Sequence, residues 1–188
     1  MDAIRPEDDL TTVALKVATT LSRAGVSPVL TGGSAATVYA PEAYQSRDLD
    51  FVLRSAVSLS GPEAALFDIG FRPDGRVYAS SETQLTVDLL PEGDVRIGSD
   101  QVSSFFEMRR GELNLTILTA TDSVRDRLAG FFWFRDRGSL MAALAVARRN
   151  SVDLDLIQGW AESEGEAGRY AEFKRLLVGA EDQRHRLS

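Results

Sequence analysis

The first chemistry this sequence offers lies in three aspartates. Asp48 and Asp50 stand one residue apart in "SRDLDFVL", and Asp88 interrupts "LTVDLLP". In an extended strand alternate side chains share a face. Asp48 and Asp50 therefore point together, while Leu49, Phe51 and Leu53 point the other way, into a core. Two carboxylates held side by side repel, and near a partly buried sheet each resists ionisation. A hard divalent cation removes that conflict, because Mg²⁺ takes carboxylate oxygens as ligands. Two-ion phosphoryl-transfer sites need further acidic ligands. Asp88 is the natural third, on the face opposite Leu85, Val87 and Leu89. Any one of these aspartates alone reads equally well as a turn or cap residue; the trio points to metal.

An anion site precedes the acidic pair. Gly32-Gly33-Ser34 follows a short apolar run and opens a small-residue segment. A strand that turns through glycines into a helix leaves backbone N–H groups at a positive helix end, where phosphate binds. The Ser34 hydroxyl can donate to a phosphate oxygen or cap the helix. The pattern is neither Gly-x-Gly-x-x-Gly nor a Walker motif, since no lysine follows. Arg47, beside the acidic pair, either reaches a phosphate or balances charge. Tyr39 and Tyr44 are candidates to line a nucleotide pocket. Trp133 and Phe134 could stack on a base or form a core helix face. His185 is the single histidine and cysteine is absent. That excludes zinc sites, Ser–His catalysis, disulfides and a cysteine nucleophile.

These residues need elements to hold them. The apolar periodicity predicts a helix over 7–24, a buried strand over 28–31, a helix over 34–40 ended by Pro41, a loop over 41–47 and a strand over 48–53. A short helix over 61–69 follows. Strand-like stretches come next at 76–80, 83–90, 104–108 and 113–118, with a hairpin turn in "RRGEL". After Leu118 no strand signal remains. Thr121 or Ser123 is expected to cap a first helix, and three more follow, the last marked by Tyr170, Phe173, Leu176 and Leu177. The expected layout is an α+β core over 1–118, a helical region over 119–180 packed on it, and a polar tail over 181–188. On a helix drawn through 124–135, Val124, Leu128, Phe131 and Phe132 share a side, Arg135 falls within it and Arg127 flanks it. An arginine on an apolar stripe needs an acidic residue or a bound phosphate; the alternative is that the helix ends before Arg135.

The bulk composition sets bounds. The 188 residues are 44% hydrophobic and 26% charged, enough for a real core. The net charge of −7 argues against non-specific binding to DNA, although arginines cluster between 109 and 149. The N-terminal stretch is acidic rather than signal-like, and no run is long enough to span a membrane. A cytoplasmic protein is the expectation.

Taken together, "GGSAATVYA", "SRDLDFVL" and "LTVDLL" resemble the DNA polymerase β-type nucleotidyltransferase superfamily. The resemblance covers about residues 28–90 well and is greatest to small bacterial abortive-infection-type nucleotidyltransferase toxins and their relatives. It implies a nucleotidyltransferase fold, a small mixed β-sheet with flanking helices, followed by a C-terminal helical bundle. It implies that Gly32, Gly33 and Ser34 hold nucleotide phosphates and that Asp48, Asp50 and Asp88 hold two Mg²⁺ ions. The helical half resembles the group more loosely: Arg127 stands where those proteins often carry lysine, and Arg135-Asp136 forms an Arg-Asp pair leading the next helix. The implied activity is Mg²⁺-dependent transfer of NMP from a nucleoside triphosphate such as ATP to an acceptor hydroxyl. The acceptor stays open between a tRNA end, a protein and a small molecule. A toxin role with an antitoxin or regulator as partner follows from the same resemblance. The competing readings are a non-catalytic nucleotide-binding protein of the same fold and a metal-dependent phosphodiesterase or nuclease.

Overall fold

The computed structural model describes residues 3–54, 60–90 and 93–185. Asp9 caps α1 (Leu10–Arg23), its carboxylate accepting from the Thr12 N–H at 2.7 Å. The cap lies inside the expected 7–24 helix, because an Asp that satisfies a first-turn donor sits just outside the helix it starts. Strand β1 (Pro28–Thr31) then runs into α2 (Gly32–Tyr39), and β2 (Asp48–Leu53) returns antiparallel to β1. After α3 (Ser60–Asp68) come β3 (Arg72–Asp74), β4 (Val77–Ser80), β5 (Thr83–Leu90), a small hairpin of β6 (Arg96–Ile97) and β7 (Asp100–Gln101), and the hairpin of β8 (Phe105–Arg110) and β9 (Leu113–Leu118).

The main sheet has seven strands in the order β3-β4-β5-β2-β1-β9-β8. It is mixed: β2–β5 and β1–β9 are parallel, and the other pairs are antiparallel. The β2–β5 pairing is decisive for the site, because it sets Asp50 directly opposite Asp88.

Each face of the sheet has its own core. On one face Leu30, Leu49, Phe51, Leu53, Val87, Leu89, Leu115 and Ile117 pack with α1 and with Leu66 of α3. On the other, Val29, Val52 and Leu118 pack with α2 and with the C-terminal helices. Those helices are α4 (Ala120–Phe134), α5 (Arg137–Ala147), α6 (Leu154–Ser163) and α7 (Ala167–His185). The period-2 alternation of β2 thus sorts apolar side chains to the α1 side and the carboxylates to the helical-bundle side.

Several local expectations change. Helix α2 starts at Gly32, two residues early, since Gly32 itself makes the turn at φ +66°. Helix α4 is capped by Thr119, whose hydroxyl oxygen accepts from the Asp122 N–H at 3.1 Å, not by Thr121 or Ser123. The strands β3, β6 and β7 carry too few residues for a periodic signal. Helix α7 continues through His185, and residues 186–188 of the expected polar tail lie outside the described residues.

The clearest correction concerns Arg135. Helix α4 ends at Phe134, and Arg135 turns left-handed at φ 55° to let Asp136 cap α5. A non-glycine residue in this conformation costs about 1 kcal/mol, offset by the Asp136 cap: its two oxygens accept from the Gly138 N–H at 2.8 Å and the Ser139 hydroxyl at 2.6 Å. Arg135 is therefore exposed, not set into the apolar stripe, and no burial obliges it to find a phosphate. The aromatic end of α4 is also not core: Trp133 is 43% and Phe134 80% exposed.

Candidate active site

The cleft lies where β1, β2 and β5 meet the first turn of α2. Thr31 opposes Asp50 across β1–β2, and Asp50 opposes Asp88 across β2–β5, so three neighbouring strands present these residues at one level. Asp48 opposes Thr86 one step along the same face, and the Thr86 hydroxyl donates to Asp48 Oδ1 at 2.5 Å.

Asp50 is half-buried, and its carboxyl is pushed up to about 6 from the ordinary 3.8. Burial is the main cause; the negative charges of Asp88, Asp126 and Asp48 add to it, and the Arg127 guanidinium opposes it. A side chain whose neighbours are three acids and one already paired arginine is unfavourably placed as a bare anion. Arg127 is that arginine. Its Nε and Nη2 both donate to Asp126 Oδ2, at 3.0 and 2.8 Å, and its side chain is only 20% exposed.

The glycines are forced by geometry. A Cβ on Gly32 would lie 2.1 Å from Asp50 Oδ2, and the positive φ is itself hostile to a side chain. The α2 backbone therefore touches the carboxylate directly. A Cβ on Gly33 would meet the Tyr44 hydroxyl and Ser46 Oγ, each at 3.1 Å. The 41–47 loop thus lies over the glycine turn, and Tyr44 is brought to it. Thr31, the N-cap residue of α2, makes no side-chain hydrogen bond to the first turn, so that turn has no N-cap oxygen.

Ser34 has a different part from the one the sequence suggests. It is fully buried; its hydroxyl donates to the Thr31 carbonyl at 2.9 Å and accepts from the Asp50 N–H at 3.3 Å. It ties β1, α2 and β2 together and so fixes the Asp50 backbone. Arg47 is exposed at the entrance to β2. Tyr39 turns away, its hydroxyl donating to the Leu118 carbonyl at 2.7 Å.

The structure therefore gathers Gly32, Gly33, Ser34, Asp48, Asp50, Asp88 and Arg127 at one cleft, leaves Arg47 at its rim and directs Arg135 to solvent. Sequence reasoning missed Thr86, Asp126 and Ser46. The first two had weak signals: a polar residue on the acidic face of β5, and an acid next to Arg127. Beyond Arg127 lies a cavity of about 490 Å³ whose lining includes Arg96, Asp126, Trp133 and Asp136.

The donor set of the cleft is all oxygen and carries excess negative charge, which suits a hard cation. Among the described residues no three acidic or imidazole side chains converge at ligating distance. The bond from Thr86 engages Oδ1 of Asp48 and holds that side chain toward β5, the strand that carries Asp88.

This topology and cleft define a nucleotidyltransferase-like fold. Among solved structures the chain is similar to an antigenic nucleotidyltransferase-like protein from Paracoccidioides brasiliensis, with a TM-score of 0.56 over 77% of this chain and 78% of that one, at 12% sequence identity. Identity at that level carries the fold alone. No protein-family model matches the chain, and no curated protein matches it in sequence. Among the described residues no helix is long and apolar enough to cross a membrane.

Proposed function

We propose that the protein transfers a nucleoside monophosphate from a nucleoside triphosphate to an acceptor hydroxyl, with Mg²⁺ held by Asp48, Asp50 and Asp88. The observation that carries this reading is the Asp50–Asp88 pairing on adjacent strands with the Gly32 backbone against Asp50. One element offers uncapped N–H groups for phosphate, and the next offers carboxylates for the cation that accompanies it. When bound, one or two Mg²⁺ ions would neutralise phosphate charge and align the reacting oxygens.

The chain's own residues have separable tasks. Gly32 and Gly33 let phosphate approach the backbone once the 41–47 loop gives way. Ser34 positions Asp50. Arg127, already beside Asp50, supplies positive charge to the triphosphate. Asp88 accepts the proton of the acceptor hydroxyl as its oxygen bonds to the α-phosphorus. The bond from that phosphorus to the bridging oxygen breaks, and pyrophosphate leaves. Positioning and charge stabilisation supply most of the rate. The resemblance to abortive-infection-type proteins supports a toxin setting with an antitoxin partner, tested by growth arrest on induction of the wild type but not of Asp50→Asn.

Pyrophosphate release from labelled nucleoside triphosphates tests the chemistry. The reading requires release by the wild type that is lost in Asp50→Asn and in Asp88→Asn; cleavage of nucleic acid without pyrophosphate release would replace it with the phosphodiesterase reading. A non-catalytic nucleotide-binding role is the second reading. It requires Mg²⁺-dependent nucleotide binding without any pyrophosphate release.

A further inference from the structure

The seven-stranded sheet ends in two unlike edges. At one end β3 is three residues long and contains Pro73, features that blunt an edge against pairing. At the other, β8 has six residues and no proline, and it pairs with β9 in unbroken register from Phe105↔Leu118 to Arg110↔Leu113. Its outer side receives no backbone hydrogen bond from any other described segment. Phe106 on this edge is 49% exposed. A long, regular edge with an exposed aromatic is a template for another strand.

The side chains of β8 choose the occupant. Met108 packs on the α1-side core and Arg110 donates to Thr12, so Phe106, Met108 and Arg110 share that face. Phe105, Glu107 and Arg109 share the other, where Glu107 accepts from the Thr116 hydroxyl at 2.8 Å. Among the described residues neither Glu107 nor Arg109 has an ion-pair partner. Two copies of β8 related by a two-fold axis must pair antiparallel, with residues of the same face opposite each other. A register centred on Glu107 sets Glu107 against itself, and one centred on Arg109 sets Arg109 against itself. The register centred on Met108 sets each Glu107 opposite the other copy's Arg109, and each Phe106 opposite the other copy's Arg110. Opposite charges facing across strands stabilise and like charges oppose pairing.

We propose that a second copy of this chain docks on β8 in the Met108-centred antiparallel register, making one continuous sheet across a two-fold dimer. The ladder is short, so the dimer is weak and is read at high protein concentration. It does not depend on the catalytic reading.

Sedimentation equilibrium of the full chain up to about 200 μM tests it. The wild type dimerises; Glu107→Arg and Arg109→Glu each remain monomeric, because each sets two like-charged pairs across the axis. An equimolar mixture of the two variants dimerises again, since both cross-strand pairs are then opposite in charge. Circular dichroism verifies that each variant is folded. Met108→Cys is a second arm, in a chain with no cysteine of its own. Facing residues on antiparallel strands have Cα atoms about 4.5–5.5 Å apart, within disulfide reach, so mild oxidation yields a covalent dimer. A wild type that stays monomeric across the range overturns the proposal. So do folded single variants that still dimerise, a mixture that stays monomeric, or an oxidised Met108→Cys protein without covalent dimer.

Discussion

Replacing Asp50 by Asn should make the metal-free protein more stable at neutral pH. The folded carboxyl titrates near 6 against an ordinary 3.8. The folded state therefore holds this proton more tightly than the unfolded state does. Stability falls as pH rises from about 3.8 to about 6, and the loss is complete above that window. A shift of about two units corresponds to about 3 kcal/mol at 1.36 kcal/mol per unit. Partial solvent contact at Asp50 reduces this to about 1–2 kcal/mol. Asparagine has the shape of the protonated acid and no charge, so it recovers that energy. In a chain of this size the gain raises Tm by about 2–8 °C. The assay is thermal and urea unfolding of both proteins in EDTA at pH 7.5 and at pH 4. The variant should be more stable at pH 7.5, and the two should converge at pH 4. Added Mg²⁺ should raise the Tm of the wild type and leave the variant unmoved. Equal stability at pH 7.5, or a gain that persists undiminished at pH 4, would refute the idea that burial among acids strains Asp50.

Three further outcomes follow from the same cleft. Gly32→Ala should lose about 2 kcal/mol or more in urea unfolding, and should lose Mg²⁺-dependent nucleotide binding, because its Cβ would stand 2.1 Å from Asp50 Oδ2 at φ +66°. Thr86→Val removes the hydroxyl that donates to Asp48, so urea unfolding in EDTA should show a loss of about 1 kcal/mol, the worth of that hydrogen bond. Arg127→Met removes the positive charge that opposes the rise at Asp50, so the Asp50 carboxyl followed by NMR in EDTA should titrate above 6, and nucleoside triphosphate affinity should fall about tenfold.

What could be read from the sequence was what depends on local periodicity. The shared face of Asp48 and Asp50 follows from the two-residue repeat of a strand, and the burial of Leu49, Phe51 and Leu53 from the same repeat. The turn at Gly32 showed because glycine between an apolar strand and a small-residue helix has few other uses. The register that sets Asp88 against Asp50 was not readable. It arises from parallel pairing of β2 with β5 after a crossover through α3, β3 and β4, and no local pattern encodes such a pairing. The end of α4 stayed open between a helix through Arg135 and one ending before it, because Arg135 occupies a left-handed position that sequences usually mark with glycine. Ser34 was misplaced because a serine after a glycine turn is equally suited to donate outward or inward. The choice is made by the Thr31 carbonyl and the Asp50 N–H that close around it.

We propose that the aspartates of β2 and β5 and the glycine turn of α2 form one nucleotide–metal site. Isothermal titration of nucleoside triphosphate into the full chain, with Mg²⁺ and with EDTA, tests it directly against the Asp48→Ala/Asp50→Ala double variant. The wild type should bind only when Mg²⁺ is present, and the double variant should not bind at all. Absence of binding by the wild type, or equal binding by both proteins, would contradict it.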